Sequence, residues 1–255
     1  MKRFLNEQTV FGAAILGLAG IAPNIFPVAQ AGLAKMSALG AAVLLPSLVL
    51  LAVAVVGARF RGHHALVRRV LIGAAAGIVA TVGLEIVRIT SFRLGGMPGD
   101  LPRLMGVLLT DRFMFGPSTL SDVLGWAYHF WNGAVFGLIF AVLLGRRPVS
   151  WYVGYGVLIG VGFLASPVVT SMGIGSFGLG MPSMPVSVVL AHVVYGWALG
   201  VLYLRWSRPA EAAVRTNRQP IQSASRIAIH DPTRKVTDAL EPSPGGSCCL
   251  DPVVA

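Results

Sequence analysis

The side chains best suited to chemistry are two adjacent thiols, Cys248 and Cys249, the only cysteines among 255 residues. Two neighbours cannot build a disulfide framework. Vicinal thiolates instead grip soft metals of low coordination number, such as Cu(I) or Hg(II), without a folded site. His129 and His192 place imidazoles inside otherwise apolar stretches, and Glu85 places a carboxylate in a third. An ionisable residue in such a setting is costly and marks a candidate site. Methionine adds thioethers: Met97 and Met181, with Met36, Met105, Met114, Met172 and Met184, all fall toward the same end of those stretches. Each group also has a purely structural reading. Arg88 follows Glu85 by one helical turn and is a natural ion-pair partner. The histidines could serve only as hydrogen bonders between helices, the methionines as packing, and the cysteines as an idle reduced pair.

What must position these groups is a set of membrane helices. The chain is 55% hydrophobic and only 12% charged, the balance of a membrane protein. Six stretches are long enough to cross a hydrocarbon core of roughly 30 Å: Val10–Phe26, Ser37–Gly57, Val70–Ile89, Val123–Leu144, Trp151–Met172 and Val186–Leu204. The fold class is all-α and polytopic, with about six transmembrane helices. There are five if residues 1–31 are a cleaved signal peptide, a reading prompted by Lys2-Arg3, the apolar run and the small residues Ala29 and Ala31. Residues 32–205 form the helical domain. From 206 to 255 the chain is polar and aperiodic, and reads as a disordered cytoplasmic tail. A random tail of some 43 residues up to Cys248 would reach on the order of 35 Å.

The net charge of +10 reflects topology rather than nucleic-acid binding. Lys2, Arg3, the cluster from Arg59 to Arg69, Arg146-Arg147, Arg205 and Arg208 flank the spans at one end. Short basic flanks stay in the cytoplasm. This predicts a cell (inner) membrane protein with both termini inside, or with the N-terminus outside after signal cleavage. By a rise of about 1.5 Å per residue, His129, His192 and Glu85 then lie roughly 10 Å below the outer surface.

The fourth and sixth spans share a pattern. His129, Gly133 and Gly137 recur as His192, Gly196 and Gly200, so both read His-x3-Gly-x3-Gly, and Gly-Met-Pro precedes each. Four-residue spacing puts the three side chains on one helical face, and glycines so spaced admit a neighbouring backbone. The pattern predicts two duplicated hairpins, about 70–144 and 151–205, related by an axis along the membrane normal. The alternative is coincidence in a chain with 31 glycines.

A polytopic frame carrying Cys248-Cys249 resembles the bacterial mercuric-ion transport proteins of mercury-resistance systems. That family also has a cysteine pair within its first span, which this chain lacks. The resemblance implies Hg(II) uptake, an extracytoplasmic metal-binding protein as donor and a cytosolic mercuric reductase as recipient. The expected function is therefore inner-membrane transport of a soft heavy-metal ion. Met97, Met181, His129 and His192 would receive the ion, Glu85 would compensate its charge, and Cys248 and Cys249 would collect it inside. A second reading makes His129 and His192 paired axial ligands of haem in an electron-transfer protein, and a third makes the glycine faces those of a structural subunit. No resident cofactor is expected, and a homo-oligomer is left open. With no His-Glu-x-x-His, nucleophile elbow or phosphate-binding loop, the chain does not read as an enzyme.

Overall fold

The computed structural model describes residues 6–227, with side chains described for 6–208. Cys248, Cys249 and most of the predicted tail lie outside the described residues. Among the described residues, those up to Glu211 form one compact unit and those from Ala212 belong to a second.

The chain is an all-α polytopic protein, with helices and no strand among the described residues. Five helical stretches are long and apolar enough to cross a membrane: Glu7–Gln30, Met36–Phe60, His64–Arg93, Thr119–Leu143 and Ser183–Arg208. A sixth apolar helix, Val149–Leu164, is shorter at 16 residues. Runs of aliphatic residues along these helices leave side chains such as Val49, Val53, Leu158 and Leu190 exposed, as a lipid-facing surface requires.

Proline and glycine divide the spans. In the first, α1 (Glu7–Ala19) and α2 (Ile21–Gln30) meet at Gly20, whose carbonyl accepts from the Asn24 side chain at 2.7 Å. In the second, α3 (Met36–Leu39) passes through a π-helical stretch, Gly40–Leu44, into α4 (Leu45–Phe60). Pro46 lacks the N–H that would continue the ladder, and Ser47 Oγ donates to the Leu44 carbonyl at 2.7 Å. The third span, α5 (His64–Arg93), is unbroken for 30 residues.

Two departures from the sequence expectation matter for the site. The predicted third loop contains a helix, α6 (Leu101–Leu109), which packs against α7 (Thr119–Leu143). There Gly106 and Gly125 bring the backbones together, and a Cβ on either would collide with the other helix. The predicted continuous fifth span, Trp151–Met172, is instead α8 (Val149–Leu164) and a separate short α9 (Pro167–Ser171). Pro167 disfavours a helical conformation at Ser166, and Ser166 is extended with ψ 159°. The last helix, α10, runs Ser183–Ile227, past the Trp206 boundary at which the tail was expected to begin. Alanine, glutamate and arginine beyond that point are good helix formers.

Glycine contacts close both hairpins. Between α5 and α7, a Cβ on Gly73 would lie 2.7 Å from the Gly137 carbonyl, and one on Gly77 would strike the Gly133 carbonyl. Between α8 and α10, a Cβ on Gly156 would strike the His192 carbonyl and stand 3.1 Å from Gly196 Cα, while Gly200 packs on the Tyr152 ring. The hairpins are joined by tyrosines. Tyr195 donates to the Gly133 carbonyl at 2.7 Å and Tyr155 to the Phe136 carbonyl at 3.1 Å. Gly133 O keeps a place in its own helix, so Tyr195→Phe forfeits one buried hydrogen bond without stranding a backbone group. We expect a loss of about 1 kcal/mol, read as a lower unfolding midpoint in detergent with unchanged oligomer size.

These antiparallel contacts gather the basic flanks at one end of the bundle. Arg146 reaches the Leu204 carbonyl and Ser207 Oγ there, and Arg61 pairs with Glu7 at 2.6 Å. At the opposite end two of the cations are offset by acids, in the pairs Lys35–Asp111 (2.9 Å) and Arg103–Asp122 (3.3 Å).

Candidate functional site

The glycine contacts determine what each histidine meets. On α7, His129 lies one turn from Gly133; on α5, Glu85 lies eight residues beyond Gly77. Because Gly77 opposes Gly133 on antiparallel helices, the imidazole arrives at the carboxylate, with His129 Nε2 2.8 Å from Glu85 Oε1. Glu85 also accepts from Arg88, whose Nε lies 2.8 and 2.9 Å from the two oxygens and whose Nη2 lies 2.7 Å from Oε2. Arg88 Nη2 extends the chain to Asp100 Oδ1 at 3.2 Å, and its guanidinium carbon stands 5.8 Å from the Trp126 ring centre. Glu85 and Arg88 are 4% and 5% exposed. Buried charges persist only when paired, and here each has at least two partners. The Glu85–Arg88 ion pair read from the sequence is therefore present, with His129 and Asp100 added.

The second hairpin repeats the backbone contact without the charge. Gly156 opposes Gly196, and the position eight residues on from Gly156 is the buried Leu164. With no carboxylate there, His192 turns to its own helix, and its Nδ1–H donates to the Val188 carbonyl at 2.7 Å. The proton on Nδ1 leaves Nε2 as a lone-pair acceptor. The ring packs on Gly160, where a Cβ would stand 3.1 Å away.

Between the hairpins lies a cavity of about 540 Å³. Its wall is mainly apolar, from Phe26, Leu84, Phe136, Phe163 and Val188 among others. The polar and sulfur-bearing residues on it include Arg88, His129, Asn132, His192, Met97 and Met105. Tyr128 shapes the α2 side. Its hydroxyl accepts from Phe26 N at 3.3 Å and donates to the Ala22 carbonyl at 2.6 Å, the two groups that a regular helical turn would pair. Such an insertion bends a helix.

Of the residues predicted from sequence, His129, His192 and Met97 line this one cavity, and Glu85 stands behind it, bonded to Arg88 and His129. Met181 lies in the adjoining apolar cluster with Met97, Met184, Leu164 and Val188. Among the described residues no three His, Cys, Asp or Glu side chains form a metal-holding group, and Glu85 and His129 are committed to each other. Paired axial ligation of haem through Nε2 would have to take His129 from Glu85. Two participants went unrecognised in the sequence. Asp100 is signalled by its place ahead of Leu101-Pro102 at the start of α6. Asn132 has no comparable signal, since one polar residue on an apolar helix is as readily a packing residue.

A model of a family of unknown function, DUF6789, matches residues 67–214, a stretch that covers both hairpins and most of the cavity wall. No curated protein and no solved structure matches the chain.

Proposed function

The chain belongs to this family of unknown function, DUF6789, and we propose that it binds a lipid-soluble small molecule within the membrane, in the cavity between its hairpins. The observation that carries this reading is the cavity itself: about 540 Å³, walled mainly by apolar side chains, with a minority of polar residues in its lining. Small-molecule sites have this composition and size. Clustering of basic flanks at one end of the bundle supports a cell-membrane location with that end in the cytoplasm. The contribution of Pro23, Asn24 and Pro27 to the wall, with the Tyr128 bond to Ala22, supports a retained first span rather than a cleaved leader.

The test is photolabelling in liposomes with a long-chain methyl ether that bears a diazirine. Labelling of Phe136 and Phe163 should saturate with probe concentration and be lost in Ala191→Phe, which fills the cavity from α10. Labelling of the exposed Leu158 and Leu190 should rise linearly in both proteins. Cavity labels that stay linear and ignore Ala191→Phe would sink the proposal.

A second reading keeps the soft-metal transporter. Met97 and Met105 share the cavity wall with His192, and thioethers with a neutral imidazole suit Cu(I) or Hg(II). In this reading the cavity receives the ion, and Cys248 and Cys249 collect it on the other side. Cells making the protein should then accumulate Hg(II). Accumulation that survives joint replacement of Met97, Met105 and His192 by leucine would exclude the cavity from the path, and Cys248→Ser with Cys249→Ser tests the thiols separately.

A further inference from the structure

We infer that the molecule bound in the cavity is neutral and carries a hydroxyl at its polar end, as a long-chain alcohol, sterol-like alcohol or phenol does; this rests on the lipid-binding reading above.

Beside His129, whose Nε2 faces the Glu85 carboxylate at 2.8 Å, three polar groups on the wall have unused hydrogen-bonding capacity, and they differ in kind. His192 Nε2 is an acceptor, because Nδ1 carries the proton toward Val188. Asn132 Oδ1 is an acceptor buried without a partner, and Arg88 Nη1 is a donor buried without a partner. An unpaired buried polar atom is destabilising, so a ligand that satisfies these atoms gains in affinity. A hydroxyl donates one hydrogen bond and accepts others, and so can answer one of the two acceptors, or be shared between them, while it also accepts from the donor. Of these three atoms, a ketone or ether oxygen can answer only Arg88 Nη1. A carboxylate can answer only Arg88 as well, and would face the lone pairs of His192 and Asn132.

Charge points the same way. Arg88 is already opposed by Glu85 and Asp100, and Glu85 also holds His129. One guanidinium against two carboxylates leaves no excess positive charge with neutral His129, and at most a balance with His129 protonated. An added anion would therefore have no unpaired cation to meet. The apolar remainder of the wall fits the hydrocarbon body.

The experiment compares three diazirine probes of equal chain length in liposomes, ending in an alcohol, a methyl ether or a carboxylic acid. At subsaturating concentration the alcohol should label Phe136 and Phe163 about fivefold more than the ether, the worth of one buried hydrogen bond, and more than the acid. His192→Phe keeps an aromatic ring at this position and removes the acceptor. It should bring the alcohol-to-ether ratio close to one while labelling by the ether persists, and Asn132→Leu should lower the same ratio. Gel filtration and an unchanged unfolding midpoint establish that each variant is folded. Equal labelling by alcohol and ether in the unmodified protein overturns the hydroxyl assignment but leaves cavity binding standing. Preference for the acid, or a ratio unmoved by both substitutions, also overturns it. Absence of saturable cavity labelling by any probe removes the binding reading as well.

Discussion

Gly156→Ala should leave little folded protein in the membrane, whereas Gly154→Ala, two residues away on the same helix, should fold normally. One methyl group is added in each case. At Gly154 nothing lies within 4 Å of the new Cβ, and a helical glycine replaced by alanine gains about 0.5–1 kcal/mol from reduced backbone freedom. At Gly156 the Cβ falls on the His192 carbonyl and close to Gly196 Cα. Backbone cannot rotate aside as a side chain does, so α8 and α10 must separate. Separation would also lift Gly196 from the Tyr152 carbonyl and Gly200 from the Tyr152 ring, undoing the close packing that holds helices together in lipid. Overpacking a rigid core costs about 1–3 kcal/mol and sometimes more, and this site has no flexible neighbour to absorb it. The same contrast applies in the first hairpin, where Gly77→Ala meets the Gly133 carbonyl. Fluorescence-detected gel filtration of detergent extracts reads the outcome. A monodisperse Gly156→Ala protein with a native midpoint would mean that the hairpin does not close as described.

The glycine spacing also shows how far the residues alone foretold the structure. Long apolar stretches are unambiguous because a polar face is absent from them, and this gave the membrane fold. His-x3-Gly-x3-Gly, by putting histidine and glycines on one face, told which side of α7 and α10 would meet a neighbour. It could not tell which neighbour, because the matching glycines, Gly73 and Gly77 on α5 and Gly156 and Gly160 on α8, sit among many others. The α6 helix was hidden by its nine-residue length, and the break after Leu164 by a single proline within an apolar run. The cavity was illegible for a different reason. It is the space left where α2, the break between α8 and α9 and two hairpins fail to fill the volume between them, and no local pattern encodes that. Residue types still pointed to its wall, since an imidazole in an apolar span has to be either paired or used. His129 proved to be paired with Glu85, while His192 retains a free acceptor.

The strongest electrostatic expectation concerns that pairing. Glu85→Leu should destabilise the protein by about 3–5 kcal/mol, the usual result of stranding one member of a buried ion pair. Arg88 would lose three hydrogen bonds and retain as an anionic partner only Asp100 at 3.2 Å, a carboxylate whose side chain is 31% exposed and so partly screened. Adding Arg88→Met to Glu85→Leu should restore most of the loss, because two apolar side chains of similar length need no partners and the pair's desolvation penalty disappears. What the double variant cannot restore is the contact at His129, which then faces the cavity without a carboxylate. Stability and ligand recognition thereby separate. The double variant should unfold near the native midpoint, yet its cavity should lose the Arg88 donor, so that labelling by the alcohol and by the ether both fall while their ratio, which His192 and Asn132 set, holds. Thermal unfolding of the three proteins in one detergent gives the first quantity, and photolabelling gives the second. If Glu85→Leu unfolds at the native midpoint, the guanidinium must reach water through the cavity, and burial is not what holds the Glu85–Arg88–His129 cluster together.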